Sequence, residues 1–349
     1  MFVDTRSRGT ARSLWAAAGL LVVFAAFAEA AIQEATGAAA AAQSEDAGEA
    51  TAPEPPFLIP RGEGELPLQV PRGEELIFRA RIRLGPVDTR VGTISLASGV
   101  EPYRESLLFG GSGTGDKHTA WVRARAEGEH TFYSMDSLIE SRFQPQAWPA
   151  LVHTFSQKGT EQRRREILVG VKDGKSVRTY RSDTSKGAPP GTRIWRSPET
   201  APCPLTALDS ITAVYLLRSM LDASLDETHF PMIDKQRLWW VHAKVGEAEP
   251  IETHTGTFLA RPVQLASTKI DPKNYEAEIA ALGKPDAPDP EFEGPFGIRG
   301  DIRLWVEAAS GVPIWIEGDL PLGFLTLGLD IRLERYRGTP ASFRPVEVP

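Results

Sequence analysis

Cysteine is all but missing from this chain of 349 residues: Cys203 stands alone. No intrachain disulfide can form, no cysteine cluster is available for zinc, and the cysteine that a lipoprotein carries directly after its leader is absent. Histidine is sparse too. The six are His118, His130, His153, His229, His242 and His254, and no two share the close spacing of a helical metal site. A basic excess is lacking: 39 Lys and Arg stand against 46 Asp and Glu, a net charge of −7. That balance speaks against nucleic acid and anionic lipid as main partners. Long apolar runs are lacking beyond the first thirty residues, so no stable membrane span is expected in the remainder.

The first thirty residues have the make-up of an export leader. Arg6, Arg8 and Arg12 precede the uncharged apolar stretch Leu14 to Phe27, and Ala28-Glu29-Ala30 offers small residues where a signal peptidase cuts. The arginines are not adjacent, which favours the general route over the twin-arginine one. The expectation is a periplasmic protein starting near Ala31, in a compartment where ATP and NAD(P)H are not supplied. The leader contributes +1, so the mature chain carries −8.

Residues 31 to 56 are Ala-rich, then acidic, then Pro-rich. They lack the apolar surface that offsets ordering entropy and read as a disordered tether. The remaining residues 57–349 read as one β-rich domain, interrupted by a Pro- and acid-rich excursion at 271–295 that holds a short helix near Asn274 to Leu282. Its acids have neither the spacing nor the loop of a calcium site.

Strands dominate. In Glu75–Leu84, Leu76, Phe78, Ala80, Ile82 and Leu84 alternate with Glu75, Ile77, Arg79, Arg81 and Arg83. This period of two gives one dry face and one charged face, the mark of antiparallel sheet. Further strands are predicted at Val91–Leu96, Thr119–Ala126, Thr131–Met135, Leu151–Gln157, Arg164–Lys172, Ser176–Arg181, Arg237–Val245, Glu252–Ala260, Asp301–Ala308, Pro313–Glu317 and Leu325–Tyr336. Asp173-Gly174 supplies the positive φ of a type I′ turn, and Gly159 and Gly311 mark two more turns. One amphipathic helix is expected from Pro204 to Leu225, with Thr206 and Asp209 as its capping box. A single helix among so many strands has one place to bury its stripe, the concave face of a curled sheet. The fold class is therefore mainly β: a large curled antiparallel sheet, or half-open barrel, around one main helix.

Catalytic motifs are wanting. Phe109 to Lys117 is glycine-rich, but Asp116 stands where a phosphate loop needs Lys and where a dinucleotide loop needs Gly. Gly110-Gly111-Ser112-Gly113-Thr114 lacks the last Gly of a nucleophile elbow. Asp136-Ser137 and Asp209-Ser210 lack the leading Gly of an esterase opening. His242 and His254 fall on successive predicted strands and can meet. Arg163-Arg164-Arg165, flanked by Glu161 and Glu166, reads as a solvated hairpin face. Alternation sends Trp239 inward and Trp240 outward, or the reverse. Cys203, between Pro202 and Pro204, reads as a small buried residue.

Asp209-Ser210-Ile211, Tyr215 and Arg218, together with Gly73-Glu74-Glu75-Leu76-Ile77-Phe78, Leu304-Trp305-Val306, Pro313-Ile314 and Leu322-Gly323, resemble the motifs of an exported bacterial family, domain of unknown function 3108. The likeness spans about residues 70 to 337. Phe78 replaces that family's usual Tyr, the serine comes one place early, and the 271–295 excursion is long. The resemblance implies export and a mainly β fold, and supplies no activity. It makes Asp209, Tyr215 and Arg218 candidate site residues, with capping and docking of the helix as the competing role.

The sequence thus points to a non-catalytic cell-envelope factor that needs no cofactor. Its partner would be an apolar, lipid-like molecule or an envelope protein. A cofactor-independent periplasmic hydrolase and a structural module without a pocket are the alternatives. The hydrolase would need Ser, Asp and His brought together from separate strands.

Overall fold

A computed structural model describes residues 54–85, 87–102, 118–130, 133–144, 148–322 and 325–346. The leader, most of the tether and the glycine-rich segment 109–117 lie outside these residues. By internal contacts residues 52–84 and 90–349 form one compact unit, to which the following applies.

The architecture is mostly β, a large antiparallel sheet with two helices among the described residues. A small hairpin comes first, β1 (Phe57–Ile59) against β2 (Leu68–Val70). A meander follows: β3 (Glu75–Leu84), β4 (Val87–Pro102), β5 (His118–His130), β6 (Tyr133–Phe143), β7 (Leu151–Gly159), β8 (Arg163–Lys172) and β9 (Lys175–Thr184). Short β10 (Ile194–Trp195) and β11 (Glu199–Pro202) both pair with β9. Helix α1 (Thr212–Asp222) comes next, then β12 (Glu227–Asp234), β13 (Arg237–Val245), β14 (Glu249–Thr253) and β15 (Gly256–Ile270). Helix α2 (Tyr275–Ala281) precedes β16 (Arg299–Glu307), β17 (Pro313–Leu322) and β18 (Leu325–Arg337). The sixteen-stranded sheet runs β10-β9-β8-β7-β6-β5-β4-β3-β18-β17-β16-β15-β13-β12, with β11 on β9 and β14 on β15.

The first and last long strands meet in the middle of this order, with Glu75 opposite Arg337. The order ends at β10 and β12, and the chain itself crosses between the two ends. Cys203 N donates to Ser176 O of β9 at 3.3 Å. Five residues on, Leu208 N donates to Pro231 O at 2.9 Å and Ile233 N to Leu208 O at 2.7 Å, a parallel bridge onto β12. Arg178 of β9 adds guanidinium bonds to the carbonyls of Lys235 and Gln236, in the β12–β13 turn. Gln236 in turn reaches Glu199 at 2.7 Å. The half-open sheet is thus seamed by one crossing segment instead of a continuous ladder.

Alternation in β3 is as expected: Leu76, Phe78 and Ala80 are buried, while Arg79 pairs with Glu334 across β18. Trp239 is fully buried and Trp240 half-buried. Asp173 and Gly174 have φ of 53° and 73°, as a type I′ turn requires. Helix α1 sits on the inner face among Phe78, Phe230, Val241 and Ile331 in one continuous core. Its second side is covered by the β1–β2 hairpin, where Ser219 donates to Pro67 O and Gln69 to Asp222. The burial therefore extends well beyond the single stripe predicted.

Three local expectations are corrected. The regular helix starts at Thr212, not Pro204, because the edge of β12 draws Leu208 into backbone pairing. The Thr206 capping box does not form; the Thr206 carbonyl accepts from Arg61 at 2.8 Å. The strand expected over Glu252–Ala260 is a hairpin, since Thr253 donates to Gly256 O at 2.9 Å and Gly256 has φ 126°. The 271–295 excursion carries α2 as expected. It is anchored by Pro285 and by Phe292, whose ring meets Trp239 edge-on at 5.5 Å.

Candidate functional site

Among the described residues, several of the most deeply buried polar groups gather around α1, at its start and along its length. At its start, Asp209 Oδ1 accepts from the amides of Ile211 at 3.0 Å and Thr212 at 3.1 Å. Ala213 N closes the first helical bond onto Asp209 O at 3.1 Å. Asp209 is therefore the effective cap, satisfying amide donors that the helix start leaves unpaired. Its other oxygen, Oδ2, accepts from Ser141 Oγ of β6 at 2.8 Å and from Thr212 Oγ1 at 3.1 Å. His153 of β7 lies opposite Ser141 in the register and brings Nδ1 to 3.0 Å from Ser141 Oγ and 3.5 Å from Asp209 Oδ1. Burial alone would push the Asp209 carboxyl up; His153, Ser141 and the Thr212 amide outweigh it and hold it below its ordinary value.

Serine, histidine and aspartate are thus assembled from three elements, as a hydrolase would require. Their connectivity differs from that of a catalytic triad. A triad uses both ring nitrogens, one taking the serine proton and the other donating to the acid. Here Nδ1 faces both groups, and the Ser141 hydroxyl donates its hydrogen bond to Asp209. Ser141 has 0% of its surface accessible, so its hydroxyl meets no substrate from solvent. The arrangement does the work of a helix anchor.

Farther along the helix, Arg218 meets Glu74 through two bonds, Nη1 at 2.9 Å and Nη2 at 2.7 Å. Both side chains are essentially inaccessible, at 3% and 0%. Burial would make the guanidinium easier to deprotonate, but Glu74 outweighs this and raises Arg218 above its ordinary value. The guanidinium also lies 5.1 Å from the Tyr215 ring. Tyr215 Oη is buried without a hydrogen bond of ordinary geometry; the Ser98 hydroxyl, which acts on it electrostatically, donates to Pro71 O at 3.0 Å. Burial, then Glu74, push the Tyr215 hydroxyl upward, with Arg218 opposing. Gly311, at φ 68°, passes so close that a Cβ there would lie 2.9 Å from Arg218 Cγ.

The structure thus brings Tyr215 and Arg218 together and sets Asp209 apart at the start of the helix. It adds Ser141, His153 and Glu74, which composition and spacing did not single out. Glu74 had one signal: it lies in the Gly73–Phe78 motif. His242 and His254 do not meet. His242 stacks on His229, its register partner, with ring centres 4.5 Å apart, whereas His254 lies in the β14–β15 turn. Among the described residues no group of three or more His, Cys, Asp or Glu is placed to hold a metal. Cys203 is buried, and desolvation pushes its thiol up to about 12, which leaves no thiolate at neutral pH. A shallow cleft of about 220 Å³ between β3, β16, β17 and β18 is lined by the charged Arg83, Asp301, Arg303, Glu317 and Asp319 together with Leu329. Among the described residues no helix is long and apolar enough to cross a membrane. The chain matches no protein-family model, no curated protein and no solved structure.

Proposed function

We propose that the chain is an exported cell-envelope factor that works by binding and not by catalysis, and that its partner meets the outer surface. The observation that carries this reading is the occupied concave face. Tyr215, Leu216, Leu217 and Met220 of α1 fill it at 0–3% exposure, where a lipid carrier would keep a cavity. The groups able to do chemistry, Ser141, His153, Asp209, Glu74 and Arg218, are spent on holding that helix. The resemblance to the exported family supports the same reading, because Glu74 of its opening motif and Arg218 of its helix motif are direct partners. The leader composition supports the compartment.

Native mass spectrometry of protein isolated from the periplasmic fraction tests the proposal. The expected species is the polypeptide, bare or with a stoichiometric protein. A fatty-acyl or lipid adduct that persists through desalting and high salt, which would release a lipid held only by surface charge, would place the ligand inside the sheet and overturn it.

A further inference from the structure

The net charge of −7 conceals its distribution. Residues 158–196 hold eleven Lys and Arg against four Asp and Glu, a local excess of +7. Register gathers most of them at one corner of the sheet. Gln157 of β7 pairs with Arg163 of β8, Arg165 with Ser182 of β9, and Asp183 of β9 with Trp195 of β10. Arg196 N donates to Ser182 O at 2.8 Å and continues the row.

Two acids lie beneath this corner. Asp183, buried, accepts from Arg193 at 2.8 and 2.9 Å and from Arg164 at 3.0 and 3.2 Å; buried Glu166 takes Arg181. Glu161 faces Arg163, and Asp136, opposite Lys158 on β6, is bonded to Arg125. Lys158, Lys186 and Arg196 are exposed at this end of the strands, Arg196 on the Ser182 face and so on the side away from Asp183. On the same edge strand Ile194 is 44% and Trp195 36% exposed, on opposite faces of the sheet, and Trp195 lies between the guanidinium groups of Arg164 and Arg181, at 4.9 and 4.4 Å.

We infer that this corner docks on an anionic phospholipid surface. Exposed cations beside a half-exposed Trp and an exposed Ile are the composition of an interfacial anchor: cations meet headgroup phosphates and the apolar tips enter the headgroup region. The exposed cations run from Lys158 near the end of β7 to Lys186 after β9 and Arg196 after β10, across four strands or about 15 Å at the usual strand spacing. That breadth suits a plane better than the narrow line of an acidic peptide. Net negative charge elsewhere on the chain would turn this basic segment toward the lipid. The inference goes beyond binding of a protein partner, and its failure would leave that reading intact.

The test is co-sedimentation of the purified full chain with vesicles of phosphatidylcholine alone or mixed with phosphatidylglycerol. Binding is expected only to the mixed vesicles, and added salt should weaken it. Lys186→Gln with Arg196→Gln should weaken it about 25-fold, at about five-fold per cation removed. Lys172→Gln with Lys175→Gln, at the opposite end of the β8–β9 hairpin, should change it less than five-fold. Absent or salt-insensitive binding of the wild-type chain would overturn the proposal, as would full binding by the Lys186/Arg196 variant. Retention on immobilised polyglutamate without vesicle binding would likewise overturn it in favour of an acidic polypeptide.

Discussion

Arg218 and Glu74 are a charge pair with almost no contact with water, and such a pair behaves asymmetrically. Together the two satisfy one another; either alone is an uncompensated buried charge. Arg218→Ala should cost about 3–5 kcal/mol in urea unfolding, whereas Arg218→Met with Glu74→Leu should recover most of that loss. Equal stability of the single and double variants would refute the pairing. Asp209 makes a pH prediction. Its folded value lies below the ordinary one, so its contribution is whole above about pH 4 and is lost as pH falls through the folded value. Wild-type stability should therefore fall more steeply in acid than that of Asp209→Asn. His229 has the same sign in another window. Burial, His242 and Lys284 lower it, so folding disfavours its charged form. Stability should decline as pH drops through about 6.5, and His229→Phe should flatten that part of the curve. The sequence named Asp209, Tyr215 and Arg218, but their partners come from β6, β7 and the residue before β3. No local pattern reports contacts made at that sequence distance.

At the scale of the element, α1 is held by packing more than by its own propensity. It is eleven residues long, near the length at which isolated helices fail in water, and it is enclosed on both sides. Met220→Ala should cost about 2–5 kcal/mol by chemical denaturation, and a loss under about 1 kcal/mol would show that the core refills the space. Only six residues of β4, three of β6 and five of β15 fall within the expected strands, but the other long strands were legible because one face of each is dry and the other wet, which writes a period of two into residue type. The short ones were not. β12 contains Pro231, which weakens a strand signal, and the residue is tolerated because β12 is an edge whose ladder is limited to β13 and the single bridge at Leu208. The β14–β15 turn was invisible for a related reason: Thr253 to Thr255 continues a run without Pro or Asn, and the bend comes from the Thr253 hydroxyl and the positive φ of Gly256.

For the whole molecule, the seam sets how the sheet opens. Arg178 is the one side chain of β9 that reaches the β12–β13 turn through two backbone carbonyls. Arg178→Met should raise amide exchange in β9, β11 and β12 while leaving β3 and β18 protected; uniform protection would show that the crossing segment suffices. The curl of the sheet was readable from its alternation and its single helix, but where the two ends meet was not, since the crossing segment carries no periodic pattern. The central pairing has a different bearing. With Glu75 opposite Arg337, the middle ladder cannot zip until the last residues have left the ribosome, and contacts so distant along the chain form slowly. The fold is therefore closed last at its centre: the neighbouring hairpins of β4 to β9 need no distant partner, whereas the β3–β18 ladder joins the two halves only once both exist.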